Sequence, residues 1–230
     1  MCGRFTLTYR DMERFAVEFG VALTDTDRKC YRPRYNIAPT DEHWLVRGRL
    51  EERELLSGRW GLVNEWSSDA KRAARQINAR AETVDRSHAF RAAFKTRRCV
   101  VPADGYFEWM GPKNARQPFW FHREDGGLLF LAGLYECWFT EPEAPQTTFT
   151  ILTTDANRVV EPVHDRMPVL LDAGSVDEWI FTPETHRARL HALLTPAPDD
   201  AVVATPVNPR VNSVRYDDPE CLAVAPGALL

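Results

Sequence analysis

Long apolar runs are missing from this 230-residue chain. No stretch approaches the roughly 20 apolar residues that cross a bilayer. The first residues also lack a basic segment followed by an apolar one, so no secretory leader is expected. Cysteine is sparse and unpaired in pattern: the five lie at 2, 30, 99, 137 and 221, with no C-x-x-C. That spacing argues against a disulfide framework or a zinc site and favours a reducing compartment. The expectation is a cytoplasmic protein with no metal and no cofactor. Internal repeats, low-complexity linkers and β-α-β alternation are absent too, which excludes solenoids and doubly wound folds. What is present is an ordinary globular composition, 44% hydrophobic and 27% charged, and length for a single domain spanning 1–230.

A net charge of −4 by itself speaks against nucleic acid, but the charge is unevenly spread. Residues 1–120 carry a balance of +6 and residues 121–230 a balance of −10. Between 71 and 98 stand nine basic residues (Lys71, Arg72, Arg75, Arg80, Arg86, Arg91, Lys95, Arg97, Arg98) against Glu82 and Asp85. Such a run suits a polyanion-attracting face or an ordinary solvated surface.

Residues 8–20 read as a helix: Thr8 and Asp11 resemble a capping box, Met12, Phe15, Ala16 and Phe19 share a face, and Gly20 is a stop. Residues 21–42 read as a loop broken by Pro33 and Pro39. Strands are expected at 43–49, 53–63, 99–102, 106–110, 118–123, 128–138, 147–153 and 202–207. A hairpin turn is expected at 124–127, and helices at 87–95, 176–181 and 184–194. The segment 69–76 reads as loop or short helix. The fold class that follows is α+β: a mostly antiparallel sheet, curled toward a barrel-like core, with flanking helices.

Several short segments carry chemistry. Methionine before a small residue is normally trimmed, so M-C-G-R-F at 1–5 would expose Cys2 as the first residue. Its α-amine, with a pKa of about 7.7–8.0, and its thiol then form a 1,2-aminothiol. An aldehyde meeting that group first forms an imine, which the sulfur closes to a five-membered thiazolidine. The second step is intramolecular and favoured by positioning. Taken alone, Cys2 is as readily a small buried apolar residue. Trp60 and Trp66 form an aromatic patch suited to base stacking or core packing. Asn78 and Arg80 share a face if extended, placing an amide beside a phosphate-binding guanidinium, or a capping Asn beside a surface Arg. Glu108 stands among Tyr106, Phe107 and Trp109, where desolvation would raise its pKa toward neutrality, unless it points to solvent. His164 and Arg166 lie two apart in an extended loop, the histidine suited to proton transfer or to a structural role.

Taken together, these segments resemble the SRAP family (SOS response-associated peptidase), whose members shield abasic sites. The matching pieces are M-C-G-R-F at 1–5, R-Y-N-I-A-P-T at 34–40, W-G-L-V at 60–63, I-N-A-R-A-E-T at 77–83, G-Y-F-E-W at 105–109, H-D-R-M-P at 164–168, and V-N-S-V with P-E-C-L near 211–222. They occur in the family's order and span nearly the whole chain. Asn64 departs from the proline usual there.

The resemblance implies the family's α+β fold and a groove for single-stranded DNA containing abasic sites, in a monomer associated with the nucleoid. It makes Cys2 the crosslinking residue. Asn78 would hold its amine, Glu108 would assist ring opening and proton transfer, and His164 the imine and ring-closure steps. Arg4, Arg80 and Arg166 would contact phosphates, with Asn36 and His88 also at the DNA. Pro39, Trp60, Phe90 and Trp109 would border the gap. Loss of Met1, as a peptidase activity, would be maturation, and strand cleavage a latent lyase activity. Two other classes fit parts of the sequence. An N-terminal-nucleophile amidohydrolase also begins Met-Cys-Gly but has no use for G-Y-F-E-W or H-D-R-M-P. A non-covalent single-strand binding module would not need Cys2 at all.

Overall fold

The computed structural model describes residues 2–67, 76–112, 114–139 and 145–225. Five strands close on themselves: β3 (Glu42–Arg49), β4 (Glu52–Trp60), β6 (Arg98–Ala103), β9 (Leu129–Phe139) and β10 (Pro145–Asp155). In the ring order β4, β3, β6, β9 and β10, each pairs antiparallel with the next, and β10 closes onto β4 in parallel. The strands of the ring bury Leu45, Leu131, Phe149 and Ile151 on one face and Val46 and Val100 on the other, all at or near zero exposure. Short strands β5 (Asn78–Arg80) and β11 (Arg166–Pro168) extend from β10, and β12 (Leu170–Leu171) from β9.

A second, wholly antiparallel sheet runs in the order β13 (Val203–Pro206), β8 (Gln117–His122), β7 (Gly105–Met110), β1 (Phe5–Leu7), β2 (Arg34–Ile37). The N-terminal strand β1 therefore lies between β7 and β2. Its fit depends on Gly105: a Cβ there would fall 2.0 Å from Trp120 Nε1, the atom that donates to Thr6 Oγ1 at 3.1 Å. The architecture is α+β with an antiparallel barrel core, as the sequence implies.

Flanking helices are short: α1 (Met12–Phe19), α2 (Asp25–Cys30), α3 (Arg91–Thr96), α4 (Val176–Phe181) and α5 (Arg187–Ala192). α1 buries Phe15, Ala16 and Phe19 and stops at Gly20, whose φ of 62° suits glycine. Its cap is Asp11 alone. Thr8 is occupied elsewhere, giving its N–H and hydroxyl to Asp104. The span 21–42 is not a plain loop, because it holds α2, with a Thr24–Asp27 capping box, and β2. The turn at 124–127 forms no hairpin. It joins β8 to β9, which belong to different sheets, since turn chemistry is local and partner choice is not. The expected helix at 184–194 begins as a 3₁₀ turn (Glu184–His186). Of the segment 69–76, residues 69–75 lie outside the described residues.

The basic run divides by burial. Arg98, 5% exposed, donates to the carbonyls of Trp179 and Phe94, each at 2.6 Å, and to those of Lys95 and Thr182. It thereby fastens α3 and α4 together. Arg97 pairs at 2.8 Å with the buried Glu136. Both are structural, whereas Arg80, Arg86, Arg91 and Lys95 face solvent. Lys71, Arg72 and Arg75 lie outside the described residues.

Candidate functional site

Cys2 leads into β1 and is fully buried, its Sγ 3.8 Å from the Arg4 carbonyl. Burial, and then the negative charge of Glu108, hold its thiol far above the usual range. The thiol is therefore protonated at neutral pH. Asn78, on β5 at the barrel, donates Nδ2 to the Cys2 carbonyl at 2.8 Å. It thus grips the main chain of residue 2 at its carbonyl rather than at its amine. Its Oδ1 is buried and has no hydrogen-bond partner among the described residues.

Glu108 comes from the other sheet. On β7 it points to the same face as Tyr106, two residues earlier, and is 3% exposed. Burial pushes its carboxyl up to about 7, against the pull of the positive amino terminus and of Arg116. The carboxyl is therefore close to half-protonated at neutral pH, the condition for giving or taking a proton. Tyr106 is fully buried in the same neighbourhood, and both Cys2 and Glu108 act on its phenol.

His164 sits in the loop entering β11. Its Nδ1 lies 2.9 Å from the Arg166 N–H and 2.9 Å from Asp165 Oδ1. The first contact suits the neutral ring and the second the protonated ring, so gaining a proton exchanges one partner for the other. Burial and the positive amino terminus lower its pKa despite Asp165, so the neutral ring, with its proton on Nε2, dominates near pH 7. Cys2 and Asn78 thus touch directly, Cys2 and Glu108 act on each other electrostatically, and His164 and Glu108 both respond to the amino terminus.

The surrounding residues separate into three groups. Trp60 is fully buried: its Nε1 donates to the Ile77 carbonyl at 2.9 Å, and its ring packs on Phe5 and Phe149. It is core, not rim. Asn36, 2% exposed, is likewise internal. Its Oδ1 accepts from Arg4 Nη1 at 2.7 Å, and its Nδ2 donates to the carbonyls of Val211, Ser213 and Tyr216. It fixes Arg4 and the C-terminal segment. Arg166 is already occupied: it meets Glu82 at 2.8 and 2.9 Å, Asp155 at 2.5 Å and the Thr153 carbonyl at 2.7 Å. Two carboxylates neutralise it, so in this state it is a strut from β11 and not a free cation.

The remaining residues stay accessible. Arg80 is exposed at the end of β5, without an ion pair among the described residues. Arg4 stacks over Trp109 at 5.8 Å and also donates to the Val211 carbonyl at 2.9 Å. Pro39 and Phe90 are half-buried. His88 is exposed and meets Trp66, 60% exposed, edge-on at 5.0 Å. Asn64 explains part of that geometry: its Nδ2 donates to the Ala89 carbonyl at 2.6 Å, tying the two loops together. Sequence reasoning missed Tyr106 as a neighbour of Cys2 and the anchoring role of residues 211–216. Two-residue alternation with Glu108 was a signal for the first. The second has no local signal.

Comparison with known proteins identifies the family. Residues 1–214 match the family model described as SOS response associated peptidase (SRAP). The chain is 35% identical over 224 residues to "Abasic site processing protein YoqW" of Bacillus subtilis (strain 168), covering 96% of this chain and 99% of that one. It is 32% identical over 226 residues to "Abasic site processing protein HMCES" of Gallus gallus, covering 84% of this chain and 66% of that one. A crystal structure of a Bacteroides thetaiotaomicron protein superposes with a TM-score of 0.85 at 23% identity, over 97% of this chain and 100% of that one, and shares the fold.

Proposed function

The chain belongs to the SOS response associated peptidase family, and from that premise we propose that it processes abasic sites in single-stranded DNA, with Cys2 bonding covalently to the lesion once Met1 is removed. The observation that carries the reading is the pairing of a buried residue 2, gripped by Asn78 from the barrel, with a carboxyl near pH 7 on the strand next to β1. Relatives named for abasic site processing supply the substrate.

The chemistry follows from the groups. An abasic deoxyribose must open to its aldehyde before it reacts: protonated Glu108 donates to the ring oxygen as the C1′–O4′ bond breaks, and the C1′ hydroxyl gives up its proton to solvent. The freed α-amine of Cys2 attacks C1′, its nitrogen releasing one proton, and the carbinolamine oxygen takes a proton from solvent and leaves as water to give an iminium. Asn78 Oδ1, lacking a partner among the described residues, is the acceptor that aims this amine. The Cys2 thiol then attacks the same carbon: the S–H bond breaks, the S–C bond forms, the C=N electron pair returns to nitrogen, and the proton passes to the Glu108 carboxylate. A protonated thiol suits this order, with amine first and sulfur second. Neutral His164 offers its Nε2–H to the oxygen leaving as water. Arg80 and Arg4 are the cations available to flanking phosphates, with Pro39, Phe90 and Trp109 beside the gap. Arg166 must exchange a carboxylate for a phosphate to join them.

The test is a denaturing gel of purified protein with a single-stranded oligonucleotide carrying one abasic site. A shifted band resistant to heat is expected, and none from protein retaining an N-terminal extension. Equal crosslinking by the extended form would overturn the reading.

A further inference from the structure

Around Asn212, which bonds to Trp109, lies an open hollow of about 380 Å³ lined by Asn114, Ala115, Arg116, Gln117, Pro209 and Asn212. The chemistry above does not use it, and of the sequence motifs only V-N-S-V, through Asn212, reaches it. Its walls are built by two segments far apart in the chain. Gln117 begins β8 and Arg116 immediately precedes it, and Pro209 and Asn212 bound a 3₁₀ turn (Pro209–Asn212) of the C-terminal segment.

The hollow is tied to the site by a short chain of contacts. Asn212 Nδ2 donates to the Arg116 carbonyl at 3.3 Å, and Asn212 Oδ1 accepts from Trp109 Nε1 at 2.6 Å. Trp109 in turn lies under the Arg4 guanidinium. One asparagine therefore fixes both the Trp109 ring and the main chain carrying Arg116. Two guanidiniums thus belong to this neighbourhood, Arg4 over the Trp109 ring and Arg116 at the hollow. They differ in commitment: Arg4 donates to Asn36 and the Val211 carbonyl, whereas Arg116 is exposed and forms no ion pair among the described residues. The floor of the hollow is amide and carbonyl in character. Gln117 is fixed by donating Nε2 to the Pro118 and Val207 carbonyls, each at 2.8 Å. An uncommitted guanidinium above a polar, hydrogen-bonded floor suits a phosphate diester with its sugar.

We infer that this hollow is a phosphodiester subsite, in which Arg116 binds the backbone of the DNA strand on one side of the lesion. The inference rests on the single-stranded DNA reading above and extends its footprint past Trp109. The neighbourhood is shared with the chemistry: the positive charge of Arg116 is among the influences that lower the Glu108 carboxyl from where burial alone would put it. Loss of Arg116 should therefore weaken binding and also move the pH dependence of crosslinking upward. A merely structural residue would do neither.

The experiment measures non-covalent binding of single strands across a salt series, using wild type, Arg116→Ala, Arg116→Lys and, as a distant charge-loss control on α1, Arg14→Ala. Arg116→Ala should flatten the log–log salt dependence by about 0.7, the loss of one phosphate contact, and Arg116→Lys should restore most of it. Arg14→Ala should leave the slope alone. Oligonucleotides with the abasic site at the 5′ or the 3′ end then locate the contact, because the Arg116→Ala effect should survive in one and vanish in the other. An unchanged slope, an equal change from Arg14→Ala, or an effect indifferent to which flank is present would each overturn the subsite. Wild type that binds no single strand would instead overturn the functional reading on which it depends.

Discussion

Asp104 and Glu108 lie four residues apart around β7, both buried, at 7% and 3% exposure, and the fold uses them in opposite ways. Asp104 accepts from Thr6 Oγ1 at 2.5 Å and from the Thr8 N–H and hydroxyl at 2.6 Å each. Burial raises its pKa, but these bonds pull it back toward the charged form. The result is a clamp that fastens β1. Glu108 stands among aromatic rings, and burial carries it up to about 7. One carboxylate holds the strand that carries Cys2, and the other is held near neutrality beside it. Burial is the largest influence on both, and at Asp104 the Thr6 and Thr8 side chains and the Thr8 N–H offset it.

The largest expected effect lies at the Glu108 end, on its partner. Cys2→Ala keeps an α-amine but removes the sulfur, so an imine still forms and then hydrolyses or loses the 3′ phosphate by β-elimination. It should give no heat-stable adduct, a borohydride-trapped one, and a nicked strand. Wild type should give the lasting adduct with little cleavage. A heat-stable adduct from the alanine variant without reductant removes the thiazolidine from the scheme.

Next comes Glu108→Gln, which should slow crosslinking by about 10²-fold or more, the usual scale for general acid–base catalysis. Binding to intact single strands should be nearly unchanged. The alkaline limb of the wild-type pH–rate profile, near pH 7, should disappear with it. A profile unaltered by the substitution breaks the comparison at this end.

Asp104→Ala should act on the fold. It leaves the Thr8 N–H and hydroxyl without their acceptor and the Thr6 hydroxyl with only the Gly105 carbonyl at 3.2 Å, and unsatisfied buried groups cost about 1–3 kcal/mol each. A loss of roughly 2–4 kcal/mol in denaturant unfolding is expected, with the crosslinking rate of the remaining folded protein within a few-fold of wild type. If the rate falls as steeply as in Glu108→Gln while stability holds, Asp104 belongs to the chemistry and the contrast fails.

The smallest effect sharpens the contrast through pH. The folded Glu108 carboxyl ionises at about 7 and the unfolded one at about 4.3. Between these values the folded chain keeps a proton that the unfolded chain has lost. This group's contribution to stability is therefore full below about pH 4.3 and falls as pH rises through 7. Glu108→Gln cannot ionise, so its stability relative to wild type should increase by about 1–3 kcal/mol between pH 4.5 and pH 8. Thermal melts at the two pH values measure this. A constant difference would mean that Glu108 is not held near 7.

Much of the barrel was legible because its signals are local. The strands near 43–49, 99–102 and 128–138 alternate or run apolar over their full length, and they form within a residue or two of the expected bounds. The three-residue strands were not legible. β1, β5 and β11 are too short to show a period, and they exist because longer neighbours offer them hydrogen bonds. The site divides the same way. Cys2, Asn78, Glu108 and His164 could be named from residue type and company. The internal fate of Trp60 and Asn36, and the neutralisation of Arg166, could not, because an aromatic, an amide or a cation reads alike whether it meets solvent or protein.

The sequence by itself named the candidate reactive group, since only a terminal cysteine would offer amine and thiol on one residue, and it determined the barrel's long strands, since periodicity is written residue by residue. Tertiary structure alone decided which of two buried carboxyls is held near 7 and which arginines are already paired. Those properties depend on desolvation and on hydrogen-bond partners contributed from 80 to 100 residues away in the chain: the donors Thr6 and Thr8 for Asp104, and the acceptor Glu82 for Arg166.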